Sequence, residues 1–88
     1  MKIKEGFVLR QIDDNYIIVP TGSARLSFNG MISFNATGAL IWRSMESGMS
    51  KADTARAIVS AYDVSEERAL SDIDAFCKRL KEAGLVEQ

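Results

Sequence analysis

The sequence predicts an α+β domain in which an antiparallel three-stranded sheet precedes three helices, and two observations carry that prediction. The apolar pattern changes period at Asn35: Met31-Ile32-Ser33-Phe34 alternates as a strand does, whereas Ala36 to Trp42 follows helical spacing. Every strand-like segment lies before that residue and every helical one after it.

Phe7 to Ile12 and Tyr16 to Pro20 are rich in aromatic and β-branched residues and flank Asp13-Asp14-Asn15, which reads as the turn of a hairpin. Pro20, Thr21 and Gly22 close the second strand, because Pro lacks a ladder N–H and Gly tolerates turn dihedrals. Arg25-Leu26-Ser27-Phe28 and Met31-Ile32-Ser33-Phe34 surround Asn29-Gly30, a dipeptide that favours a type I′ turn. The second and fourth residues of each tetrad, Leu26, Phe28, Ile32 and Phe34, are expected on the buried face. Residues 31–34 read as the third strand. Residues 25–28 read equally as an extra strand or as part of a loop from Thr21 to Gly30.

Asn35 is placed to cap the first helix, Ala36 to about Glu46, with Leu40, Ile41 and Met45 inward and Gly48 free to take a left-handed C-cap. Trp42 falls off that face, which leaves it either a partly buried core role or an interface role. Ser50 with Asp53 three residues on approaches a capping box and opens the second helix, whose predicted face is Ala55, Ile58, Val59 and Tyr62. Ser65-Glu66-Glu67 starts the third helix with its acids where the helix dipole favours them, and Gly84 stops it. Its apolar arc centres on Leu70, Ile73, Cys77 and Leu80. Ala69, Phe76 and Ala83 extend the arc along one side, facing either the first helix or a second, partly open surface.

Composition narrows the function. The chain has 88 residues, 47% of them hydrophobic and 26% charged, the balance of one domain spanning 1–88. Eleven basic against twelve acidic side chains give a net charge of −1, without the basic excess that drives binding to nucleic-acid phosphates. The charged amino terminus leads into no long apolar run, so neither a signal peptide nor a membrane span is expected, and the cytoplasm is the expected location. A single cysteine, Cys77, and no histidine leave no zinc constellation, no cofactor site and no activated nucleophile. Cys77, in the centre of the helical arc, reads as a buried, inert thiol. The acids Glu66, Glu67, Asp72 and Asp74 share one helix, but nothing supplies the pocket or metal a carboxylate site requires. Catalysis is not expected.

The order of two strands, a third ending in Phe34-Asn35-x-Thr37-Gly38-Ala39-x-Ile41-Trp42, then Ser50-x-x-Asp53, Tyr62-Asp63-Val64 and Ala69-Leu70-x-Asp72-x-x-x-Phe76-x-x-x-Leu80-x-x-x-Gly84-Leu85-Val86 resembles the PqqD-like family over residues 7–87. The resemblance implies a small winged helix-turn-helix domain that is not itself an enzyme. Such domains act as recognition elements for ribosomally made precursor peptides, binding the leader segment and presenting the core to a modifying enzyme, in many systems a radical S-adenosylmethionine protein. The stretch from Thr21 to Gly30 looks longer than the simple turn of the family pattern, and an added strand there would alter or cover the binding edge.

The physics of strand addition is compatible with that implication: an exposed edge offers unpaired N–H and C=O groups that an extended peptide can satisfy. Carried over, the groove lies between the third strand and the third helix. Met31, Ile32, Ser33 and Phe34 form one wall and Asp72, Phe76 and Arg79 the other, with Phe76 an apolar anchor. Arg79 is then the partner for a leader carboxylate, while Asp72 disfavours acids at its own level. The ordinary reading of Ile32, Phe34 and Phe76 is core, and of the charged residues a solvated helix face, so the backbone edge is the firmer site. Two other function classes stay open: a winged-helix DNA-binding regulator, using Lys78, Arg79 and Lys81, and a structural or dimerisation module. A homodimer that hides the strand edge is likewise left open.

Overall fold

The computed structural model describes residues 2–22 and 32–87. Strand β2 (Phe7–Ile12) and strand β3 (Asn15–Pro20) form the expected hairpin, and β4 (Ile32–Phe34) pairs antiparallel with β3 to give the order β2-β3-β4. Met31 and the 25–28 tetrad, with Leu26 and Phe28, lie outside the described residues. The turn is tighter than the sequence suggested. Asn15 already pairs with Ile12, leaving a two-residue loop in which Asp13 takes φ 55°, a left-handed conformation that Asp tolerates better than most residues.

That loop length fixes which backbone groups face where. The closing pair of a two-residue hairpin exchanges both of its hydrogen bonds, and such pairs recur at every second residue. Asn15, Ile17 and Val19 therefore turn their backbone groups toward β2, whereas Tyr16 and Ile18 turn theirs toward β4. Opposite them stand Phe34 and Ile32, with Ser33 beside Ile17. Ile32 and Phe34 consequently bond to β3, and Ser33 directs its N–H and C=O away from β3, to the outer edge of the sheet among the described residues. Side chains alternate to match: Ile32 and Phe34 are buried and Ser33 is exposed.

Helices α1 (Ala36–Glu46), α2 (Lys51–Ala61) and α3 (Glu66–Ala83) follow the sheet, as expected. Each begins at its predicted cap. Asn35 accepts from the Gly38 N–H at 2.9 Å, Ser50 from Asp53 at 3.0 Å and Ser65 from Arg68 at 3.1 Å. The second cap is half a capping box, because the Asp53 carboxylate pairs with Arg56 at 2.7 Å. Gly48 and Gly84 take φ 77° and 80° at the ends of α1 and α3, with the Leu85 N–H bonding back to Leu80 O.

The core joins Ile18, Ile32 and Phe34 of the sheet to Ile41, Trp42, Ile58, Ile73, Phe76 and Leu80 of the helices. Three helical faces differ from their expected settings. Trp42 is 0% exposed, packed with its ring centroid 6.5 Å from that of Phe34, while Leu40 and Met45 are only half-buried. Helix α1 is covered from two sides, by the sheet and by its fellow helices, so one stripe does not describe it. On α2 the buried residues are Thr54, Ala55 and Ile58, and Val59 is 39% exposed. On α3 the buried stripe is Ala69, Ile73, Phe76 and Leu80, one residue round from the predicted centre, so Leu70 and Cys77 are half-buried. A further pairing has no counterpart in the sequence reading. Strand β1 (Lys2–Ile3) pairs antiparallel with β5 (Val86–Glu87), tying one end of the chain to the other, and the Lys4 N–H bonds to Leu85 O at 2.9 Å.

Candidate functional site

Of the α3 row Ala69/Phe76/Ala83, expected to face either α1 or an open surface, Phe76 meets β4 and α1. The Phe76 ring centroid lies 4.6 Å from that of Phe34, at a tilt of 55°. Above this contact Gly38 of α1 leaves room for both rings, since a Cβ there would stand 2.8 Å from Phe34 Cβ and 3.2 Å from Phe76 Cε2. Phe34 and Phe76 thus form a continuous aromatic floor rather than two walls of an open slot, with the Arg79 guanidinium 5.3 Å from the Phe34 ring centroid.

Two cavities open on this floor. One of 260 Å³ is lined by Asp14, Asn15, Ser33, Phe34, Asn35, Gly38, Phe76 and Arg79, and so lies at the Phe34 end of the β4 edge. The other, of 410 Å³, shares Asn35, Gly38, Phe76 and Arg79 and continues to Ile41, Tyr62, Val64, Arg68, Asp72 and Ala75. Of the residues expected from the sequence, Ser33, Phe34, Phe76 and Arg79 meet in the smaller cavity and Asp72, Phe76 and Arg79 in the larger. Ile32 lines neither, being buried in the core beneath.

The electrostatics follow from pairing. The Asp72 carboxylate accepts from Arg68 Nε at 3.2 Å, an i,i+4 pair that offsets its charge. Arg79 makes no ion pair among the described residues and is held only against an aromatic face. Arg68 escaped the sequence reading although its spacing to Asp72 was there to be seen. Gly38, Tyr62 and Val64 stood among the motifs that carry the family resemblance, but only the helix packing brings them to the cavity.

On the opposite face of α3, Cys77 lines a 250 Å³ cavity with Ile41, Met45, Met49, Ile73 and Asp74, the last bridged to Lys51. Burial, and then the nearby Asp74 carboxylate, push the thiol pKa above its ordinary value. Iodoacetamide at pH 8 is therefore expected to alkylate Cys77 more slowly in the folded protein than in denaturant. Equal rates in the two states would contradict the environment described.

Among the described residues no group of three or more His, Cys, Asp or Glu side chains is placed to hold a metal, and no helix is long and apolar enough to cross a membrane.

The family model described as coenzyme PQQ synthesis protein D (PqqD) matches residues 15–86. Two solved structures are similar over almost the whole chain. One, described as TbiB1 in complex with the TbiA(beta) leader peptide, is 25% identical, with 99% of this chain and 95% of that one covered and a TM-score of 0.78. The other, described as lasso peptide synthetase B1 complexed with the leader peptide, is 28% identical, with 99% and 96% covered and a TM-score of 0.79. No curated protein sequence matches.

Proposed function

The chain belongs to the PqqD family, and we propose that it binds the leader segment of a ribosomally synthesised precursor peptide by strand addition beside β4 and presents that peptide to a modifying enzyme. The observation that carries the proposal is the outward-facing backbone of Ser33 on β4, an edge strand among the described residues, directly beside the aromatic floor of Phe34 and Phe76 and an Arg79 that has no ion-pair partner among those residues. Both similar structures are complexes with leader peptides, which supports the same role here. The role is binding rather than catalysis. Trp42, buried among core side chains, gives no support to docking through its ring. A DNA-binding regulator is disfavoured by the net charge of −1 and by the acids that accompany Lys78, Arg79 and Lys81 along α3.

The partner enzyme has two candidates. The family resemblance suggests a radical S-adenosylmethionine protein, while similarity to a lasso peptide synthetase B1 favours a lasso-peptide maturation enzyme. A pull-down from the native host, read by mass spectrometry, separates them.

Titration with the leader of a precursor peptide encoded beside this chain tests the site. Amide shifts are expected at residues 32–34 and 72–79. Shifts confined to α1 and α2 would overturn the groove, and absence of binding would overturn the function.

A further inference from the structure

Resting on the leader-binding reading, we propose that Arg79 selects leaders that carry an acidic residue on the inward strand face beside Phe34. The register argument comes first. A leader residue bonded to Ser33 points its own side chain the way Ser33 does, to solvent, and its neighbours point as Ile32 and Phe34 do, toward α3. The inward side chains are therefore spaced two apart, and one of them lies beside Phe34.

That position faces the Arg79 guanidinium. Arg79 lines both cavities and has no carboxylate partner among the described residues, while Asp72 is already paired with Arg68. A leader carboxylate gains a charge-assisted partner there without breaking an existing ion pair, and the Phe34 ring holds the guanidinium in place. Asp14, at the hairpin end of the smaller cavity, opposes a second acid on that side. The next inward residue, two positions on, has passed the end of β4, because α1 begins at Ala36. It meets the 410 Å³ cavity, where Val64, Ala75 and Phe76 share the lining with Thr37, Arg68 and Asp72.

The test uses a synthetic leader from the precursor encoded beside this chain, with each Asp or Glu changed singly to its amide and affinity read by fluorescence anisotropy. One position is expected to lose roughly 5- to 10-fold in affinity, with little loss at that position when the protein carries Arg79→Gln. Arg79→Glu is expected to prefer the leader with Lys at the same position. A leader that binds with no acidic position mattering, or a loss undiminished in Arg79→Gln, would overturn the selectivity and leave leader binding standing. A parent leader that does not bind at all would overturn the leader-binding reading, and the selectivity with it.

Discussion

Ser33→Pro is expected to fold and to lose leader affinity by about tenfold or more, while Ile32→Pro, one residue away, is expected to lose the fold. The two differ only in where the backbone N–H points. Proline removes that donor and fixes φ near −65°, a combination sheets tolerate at an edge where the N–H faces solvent. It also steers the preceding residue toward extended geometry, which Ile32 already has. At Ser33 the missing donor is the one an added strand would use, and the ring obstructs the approach. A lost hydrogen bond worth about 0.5–1.5 kcal/mol plus that obstruction gives the predicted loss. At Ile32 the missing donor belongs to the β3 ladder, and a buried side chain is lost with it, so the cost is about 3 kcal/mol or more. Circular dichroism melts and leader titrations of the two variants check the contrast. Equal binding by Ser33→Pro and the parent would show that the added strand does not lie on this edge.

That contrast could not have been written from the sequence, although much of its frame could. Alternation at residues 32–34 announced the inward Ile32 and Phe34, and Asn35, Ser50, Ser65 and Gly84 marked helix ends through local hydrogen bonding and backbone freedom, which a single sequence records well. Knowing that Ser33 faces outward required the hairpin register, and so the length of a turn that misreading Asn15 as a turn residue would have shifted. The pairing of Lys2–Ile3 with Val86–Glu87 was invisible because two residues carry no period. The setting of Trp42 and the stripe on α3 failed for a different reason. A helix contacted from two directions buries more than one stripe, and its neighbours, rather than its own spacing, decide which residue lies at the centre. The candidate site was legible as a place, the strand edge beside α3, but its charge balance was not. Asp72 looked like a repelling acid until Arg68 was found against it.

Gly38→Ala is expected to destabilise the protein by about 1–2 kcal/mol and to weaken leader binding, against the usual direction for this substitution in a helix. Replacing glycine by alanine within a helix ordinarily stabilises by about 1 kcal/mol. Here the new methyl would stand 2.8 Å from Phe34 Cβ and 3.2 Å from both Phe34 Cγ and Phe76 Cε2. The closest of these is no flexible tip that can swing aside: Cβ is fixed to the β4 backbone, so either the strand or the helix must move. Overpacking of this kind costs about 1–3 kcal/mol, enough to cancel the helical gain and exceed it. No other non-glycine residue at position 34 relieves the clash, because each carries the same Cβ. The strand that would yield is the one whose outer edge the leader uses, and the ring that would be pushed is Phe76 beneath the two cavities, so stability and affinity should fall together. Chemical denaturation paired with leader titration measures both. A Gly38→Ala protein more stable than the parent would mean that α1 does not press against β4 as described.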